Sequence, residues 1–143
     1  MRIDVLNGVN LNVLGRRNPE HYRGLSLDRL ETQIYAWAKE LGCEARCRQT
    51  NSEVEYVEWC HDAAESADGV IVNAGAWAHY NYAIRDALEL VTAPIVEVHL
   101  SDVDRREEWR RLSVISDLAA ERIVGKGQEG YRLALEYLVG AAS

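Results

Sequence analysis

The sequence predicts an α/β domain, a doubly wound parallel sheet of five strands with helices on both faces. Three observations predict it. Short apolar runs alternate with longer helical patterns along the whole chain. The run Val70-Ile71-Val72 is continuously apolar, as strands buried on both sheet faces are. A helical signal separates successive strands, as right-handed crossovers require.

Taken in order, the first strand covers about 2–6 through Ile3, Val5 and Leu6, with Asp4 as a polar residue that the strand pattern does not explain. The stretch to Tyr22 follows. It is rich in Asn, Arg and Gly, and a loop of that length in a compact domain is usually functional or disordered. Leu11, Val13 and Leu14 argue against disorder, so the stretch reads as an active-site loop. A helix over about 27–41 carries Leu27, Leu30, Ile34, Trp37 and Leu41 on one stripe, between a Ser26 cap and a Gly42 stop. The second strand is about 43–48. Ser52-x-x-Glu55 is a capping-box pattern opening a helix to about Ser66. After Asp68-Gly69 comes the third strand, then a helix from about 80 to 91. Pro94 precedes the fourth strand, Ile95 to Val98. Residues 101–120 read as irregular or short helix. Arg122-Ile123-Val124 is a short fifth strand, and a last helix covers about 129–140. For five such strands the expected order is the flavodoxin-like 2-1-3-4-5.

Composition bounds the function. The 143 residues fit one domain spanning 1–143, with 48% hydrophobic and 27% charged residues. A net charge of −7 disfavours a general nucleic-acid binder but leaves room for a positive pocket taking an anionic metabolite. No run reaches the 18 or so apolar residues of a membrane span. The chain enters its first strand with no signal-peptide pattern, so a cytoplasmic protein is expected. Cys43, Cys47 and Cys60 cannot all pair, and Cys43 and Cys47 stand roughly 13 Å apart along a strand, so all three read as small buried thiols. No Cys/His spacing suggests a metal.

Order 2-1-3-4-5 sets strands 1, 3 and 4 side by side, and ligands bind beyond their carboxyl ends. The unusual polar residues sit there: Asn10, Asn12, Arg17 and Tyr22 after strand 1; Asn73, Gly75 and His79 after strand 3; His99, Ser101 and Arg106 after strand 4. Gln49, Thr50 and Asn51 follow strand 2, where a helix cap explains them. The loop after strand 1 lacks Ser and Thr, which disfavours a flavodoxin-type phosphate loop. The inventory suits proton transfer on a polyol or keto acid. A free Tyr is only about 0.1% phenolate at neutral pH. A neighbouring guanidinium lowers such a group by roughly 1–3 units, and Arg17 shares a loop with Tyr22. Glu97 and His99 project from one face of strand 4, so the carboxylate can orient an imidazolium acid. Taken singly, bland readings fit too: Tyr22 as packing, Arg17 as a solvated charge, Asn7 or Asn12 as loop-backbone partners, Glu97–His99 as a structural pair, His21 and His61 as surface. Joint placement after three neighbouring strands carries the functional reading.

The blocks L-N-G-V-N-L-N-x-L-G-R-R-x-P-x-x-Y, N-A-G-A-W-A-H, A-I-R-D-A-L, E-V-H-L-S and G-x-G-x-x-G-Y-x-L-A-L closely resemble the type II 3-dehydroquinate dehydratases, from about Ile3 to Tyr137. The resemblance implies a flavodoxin-like fold, a trimer-based dodecamer, and anti elimination of water from 3-dehydroquinate, a cyclic keto acid, without metal or cofactor. It implies Tyr22 as the base at C2, Arg17 as its activator on a mobile loop, Asn10 as holder of the water at the enolate oxygen, and His99 as the acid, oriented by Glu97. It further implies Asn73, His79 and Arg110 at ring hydroxyls, Leu100 and Ser101 at the carboxylate, and Asp86 as an acid given across a trimer interface. Gly75 and Arg106 complete the expected substrate pocket. The other dehydroquinase class uses a Schiff-base Lys. Here the lysines are Lys39 and Lys126, neither in the expected site.

This chain departs from the family pattern at Val9 and Asn18, where Pro and Glu are favoured. It departs again at Tyr80 and Asn81, where Thr and Ser are favoured, and at Asp102 to Arg105, where N-x-H-A is favoured. Asp102 is expected to add negative charge near a carboxylate pocket, and Trp77 and Tyr80 to shape specificity. These departures leave three readings open: dehydration of 3-dehydroquinate, dehydration of a modified analogue such as amino-dehydroquinate, and a non-catalytic protein that kept the fold. The four tryptophans fit core or interface equally.

Overall fold

The computed structural model describes residues 1–142. Its strands are β1 (Arg2–Asn7), β2 (Glu44–Gln49), β3 (Gly69–Asn73), β4 (Ile95–His99) and β5 (Glu121–Val124). They form one parallel sheet in the order β2-β1-β3-β4-β5, as expected. The helices are α1 (Pro19–Tyr22), α2 (Leu27–Leu41), α3 (Glu53–Ser66), α4 (Tyr82–Leu88) and α5 (Glu129–Ala141).

Alternation along the strands builds two cores. Ile3 and Val5 of β1, Ile71 of β3, and Val96 and Val98 of β4 meet α2 and α5 through Leu30, Ile34, Trp37, Leu135 and Leu138. Leu6, Val70, Val72 and Ile95 point to the other face and meet α3 and α4 through Tyr56, Cys60, Ile84 and Leu88. The polar members of the strands obey the same alternation. Asn7 and Asn73 fall on the α5 side; Glu97, His99 and Arg122 fall on the opposite face. Asp4 is fully buried, and the structure explains it: Arg2, Arg46 and Arg48 approach its carboxylate at 3.2, 3.2 and 3.5 Å. A buried charge persists when it is paired in this way.

Local chemistry moved several boundaries. Gly42 ends α2 in the left-handed region (φ 76°), and the Cys43 amide donates to the Ala38 carbonyl at 3.0 Å. That amide is spent on the helix end, so β2 begins one residue later than the pattern suggested. Cys43 and Cys47 are only half-buried, and Cys60 alone is fully buried; all three are free thiols. Burial pushes the Cys47 and Cys60 thiols up to about 12, so both are poor nucleophiles at neutral pH.

The expected helix at 80–91 is shorter, Tyr82–Leu88, and is preceded by a separate helical turn. A 3-10 helix spans Gly75–His79, and α4 starts only at Tyr82, because the Asn81 side chain accepts from the Ile84 amide at 2.9 Å. Ser and Asn are both good N-caps, so this departure from the family pattern preserves a capping role. The long loop after β1 is also folded. It holds a 3-10 helix at Leu11–Arg16 and then α1, capped by Asn18 with Pro19 in its first turn. Asn51 does not cap α3. It accepts from the Asn10 amide at 2.9 Å and donates to Asn12 at 3.2 Å, pinning the loop, while Ser52 caps the helix.

Candidate active site

Beyond the carboxyl ends of β1, β3 and β4 lies a cavity of about 270 Å³, just below the usual small-molecule range of about 300–1,000 Å³. Two glycines let its walls approach. A side chain on Gly8 would come 2.4 Å from the Ala74 carbonyl oxygen, and one on Gly75 (φ 64°) would come 2.7 Å from the Val9 oxygen. The loops after β1 and β3 therefore cross in contact, held by the Gly8 amide donating to Asn73 at 2.8 Å. Asn10, Arg17, Tyr22, Asn73, Gly75, His79, His99, Leu100, Ser101, Arg106 and Arg110 all line this one cavity. Glu97 stands behind His99, fully buried. Two residues singled out from the sequence lie elsewhere: Asp86 on the exposed face of α4, and Asn12, turned to Asn51.

Tyr22 is nine-tenths buried at the end of α1. The Arg17 guanidinium lies over its ring, 4.3 Å from the centroid. The hydroxyl itself is met by Arg106, whose Nη1 donates to it at 2.8 Å and to Ser101 Oγ at 3.1 Å. The sequence pointed to Arg17 as the cation beside this phenol; the structure adds Arg106 at the oxygen. Shared loop membership suggested the first pair, whereas the second joins residues 84 apart in the chain.

His99 Nε2 donates to Glu97 Oε2 at 2.6 Å, which leaves Nδ1 for the cavity. Burial pushes the Glu97 carboxyl up, but bonds from His99, Ser116 and Ser113 outweigh it and hold the group below its ordinary value. Glu97 is thus a buried carboxylate that holds and aims the His99 ring. Stacked on His99, with ring centroids 5.9 Å apart, is His79. Its Nδ1 donates to the Leu112 carbonyl at 2.7 Å. Burial lowers the His79 pKa, and the charges of His99 and Arg110 add to that despite the Leu112 bond. A neutral ring so tethered offers Nε2 to the cavity as an acceptor.

Asn73 is tied on both sides of its amide. Oδ1 accepts from the Gly75 amide at 3.2 Å, and Nδ2 donates to the Tyr131 hydroxyl at 2.9 Å; that hydroxyl donates to Asn7 at 2.7 Å. Tyr131 was not foreseen. It sits on α5, and its burial pushes its hydroxyl far up, so it serves as a fixed hydrogen-bonding post. Arg110 bonds Glu107 at 2.7 Å and lies on the Trp109 ring, which forms the cavity rim edge-on to His79. Trp109, not Trp77, is the tryptophan at the site. Trp77 packs on Tyr56 in the core, Trp37 is also core, and Trp59 lies under Arg48.

The departures lie outside this cavity, except Val9, which packs on Gly75, and Val103 of the 102–105 run. Tyr80 is exposed and lines no part of it. Asp102 turns toward Gly125 and pairs with Arg105 at 3.4 Å, so it adds no charge to the cavity. A larger cavity of about 600 Å³ shares Tyr22 and Leu100 with the first and opens between α2 and the turn before α5. It contains neither His99, His79 nor Asn73, all of which line the smaller one. Among the described residues, no three His, Cys, Asp or Glu side chains are grouped as metal ligands, and no helix is long and apolar enough to cross a membrane.

The sequence profile of class II dehydroquinases matches residues 1–139. A 3-dehydroquinate dehydratase of Pelobacter propionicus is 49% identical over 135 residues, covering 94% of this chain and 91% of that one. Its counterpart in Deinococcus radiodurans is 48% identical over 94% of both chains. The crystal structure of a type II dehydroquinase from Propionibacterium acnes superposes with a TM-score of 0.94 at 44% identity, covering 97% of this chain and 96% of that one. With the fold, the site and these likenesses in agreement, the chain belongs to the class II dehydroquinase family.

Proposed function

We propose that this protein is a carbon–oxygen lyase that dehydrates 3-dehydroquinate to 3-dehydroshikimate. One observation carries the reading. In a chain of net charge −7, Arg17, Arg106 and Arg110 converge on a cavity lined by no carboxylate, with Tyr22 and a carboxylate-backed His99 in the same walls. Such a cavity suits a small anionic keto acid that must lose a proton and a hydroxyl. The names of the family relatives supply the same substrate.

In this mechanism Tyr22 acts as phenolate and removes the C2 proton, forming its O–H bond as the C2–H pair becomes the C2–C3 enolate. Water held at Asn10 stabilises the enolate oxygen. When the carbonyl at C3 re-forms, the pair moves to C1–C2, and the C1 hydroxyl leaves as water with a proton from His99. Tyr22 has then gained one proton and His99 lost one, and return of that proton through solvent resets the site. The charge left on Glu97 supports the imidazolium before transfer. Arg17 and Arg106 hold positive charge at Tyr22, Asn73 and His79 meet ring hydroxyls, and Leu100, Ser101 and Arg106 meet the carboxylate.

The departures in sequence fall away from this cavity, pack on its loops or, at Val103, form part of its wall, so no feature of it favours a modified substrate over 3-dehydroquinate. The protein acts as a homo-oligomer, by kinship a trimer-based dodecamer. Supporting this, Tyr82 and Asp86, one turn apart on α4, are exposed, as are Tyr80 and Leu90 just beyond its two ends. The cytoplasm is the proposed compartment, in keeping with free thiols and a diffusible acidic substrate. The test is the rise of conjugated-enone absorbance when purified, assembled protein meets 3-dehydroquinate. Turnover is expected with this substrate in preference to its amino analogue; none at saturating 3-dehydroquinate would overturn the reading.

A further inference from the structure

Arg122 of β5 lies in register beside Glu97 of β4, on the face that carries His99. Its Nε stands 3.7 Å from Glu97 Oε1 and has no hydrogen-bond partner. The far end of the same guanidinium meets Asp104, Nη1 to Oδ2 at 3.3 Å and Nη2 to Oδ1 at 3.4 Å. Asp104 belongs to the 3-10 turn Val103–Arg105, which places Val103 in the cavity wall and delivers Arg106 to Tyr22. One side chain thus touches the support of the acid and the segment that presents the partner of the base.

The groups that meet Glu97 come from three segments. His99 comes from β4, the Ser113 and Ser116 hydroxyls from the segment before β5, and Arg122 from β5. His79 stacks on His99 across the cavity, and the Arg110 charge reaches His79. Asp104 flanks Arg122, and Glu121 accepts from its amide. Glu97 is fully buried, while the Arg122 and Asp104 side chains are 29% and 49% exposed. A second cation beside a buried carboxylate competes with the imidazolium for its charge, unless that cation has its own counter-charge.

We infer that Arg122 is a positioning residue, which docks the Val103–Arg105 turn on the Glu97–His99 pair while Asp104 keeps its charge from being spent on Glu97. The inference rests on the proposed roles of His99 and Tyr22 but concerns groups outside the cavity. Without the Asp104 charge, Glu97 is the carboxylate left to the Arg122 side chain, and the guanidinium closes on it. The imidazolium then loses part of its support.

The test is the pH profile of kcat/KM for assembled Asp104→Asn, Arg122→Met and the double variant, each checked for wild-type secondary structure and assembly. Asp104→Asn should move the alkaline limb to lower pH by roughly half a unit or more. It should also cost about 2–10-fold in kcat at neutral pH. Arg122→Met should move the limb the other way. The double variant should match Arg122→Met, because Asp104 acts through Arg122. An unmoved limb in Asp104→Asn overturns the inference. So does a double variant that adds both effects, or a fall in kcat with no limb movement, which a merely structural pair would give. His99→Gln separates this from failure of the underlying reading. Activity surviving in that variant would condemn the catalytic assignment itself, whereas an inactive His99→Gln with unmoved profiles condemns only the role of Arg122.

Discussion

Arg106 donates to the Tyr22 hydroxyl at 2.8 Å while Arg17 lies 4.3 Å over the same ring, so one phenol is held between two guanidinium groups. Both stabilise the phenolate charge on a single oxygen, in a side chain nine-tenths shielded from water. Removal of a preorganised donor of this kind costs about 10²–10³ in kcat. Arg106→Gln and Arg17→Gln are each expected to lose about that much, measured as steady-state kcat. The double variant should lose far less than the product of the two, since groups that act as a unit are not additive.

Tyr131→Phe tests the post beneath the site. The hydroxyl joins Asn73 to Asn7, and deleting it leaves two buried amides without that partner. An unsatisfied buried polar group costs about 1–3 kcal/mol, so the urea midpoint should fall accordingly. KM should rise as well, because Asn73 loses its tether.

Gly75→Ala places a methyl 2.7 Å from the Val9 carbonyl oxygen at a backbone φ of 64°. Clash and backbone strain act together, and the expected cost is more than about 1 kcal/mol, read as a drop in Tm. Gly24→Ala has a comparable positive φ (69°) but open space around it, and it isolates the strain alone.

Stability should fall on acidification in two windows. His79 has a lowered pKa, so from about pH 6.5 downward the unfolded chain takes up its proton more readily than the folded one. Glu97 is held below its ordinary value of 4.5 despite burial, so its contribution is present above that pH and is lost as pH falls below it. Urea midpoints at fixed protein concentration should decline through both ranges. Glu97→Gln should flatten the lower window, and His79→Asn the upper.

Much of this was legible from the chain because the relevant signals are local. Strand ends marked by Asn73 and His99 follow apolar runs, and the sheet order then gathers them without knowledge of any contact. Glu97 and His99 share a face by strand alternation alone. What escaped depends on packing between distant segments. Tyr131 reads as one more core residue of α5, Asn51 as a helix cap, and Ser113 and Ser116 as loop polarity, until the fold brings each to its partner. Tyr80 and Asp102 looked troubling for the opposite reason: closeness in sequence to site residues does not place a side chain in the cavity.

The central claim is that Tyr22 takes the C2 proton and His99 releases the hydroxyl, as separate acts in one cavity. Proton NMR of 3-dehydroquinate in deuterated buffer tests it directly. Tyr22→Phe should lose both turnover and C2 exchange above the buffer rate, while His99→Gln should lose turnover, by about 10²–10⁴-fold, yet still exchange C2. Exchange that persists in Tyr22→Phe, or that vanishes in a folded His99→Gln, would contradict the assignment.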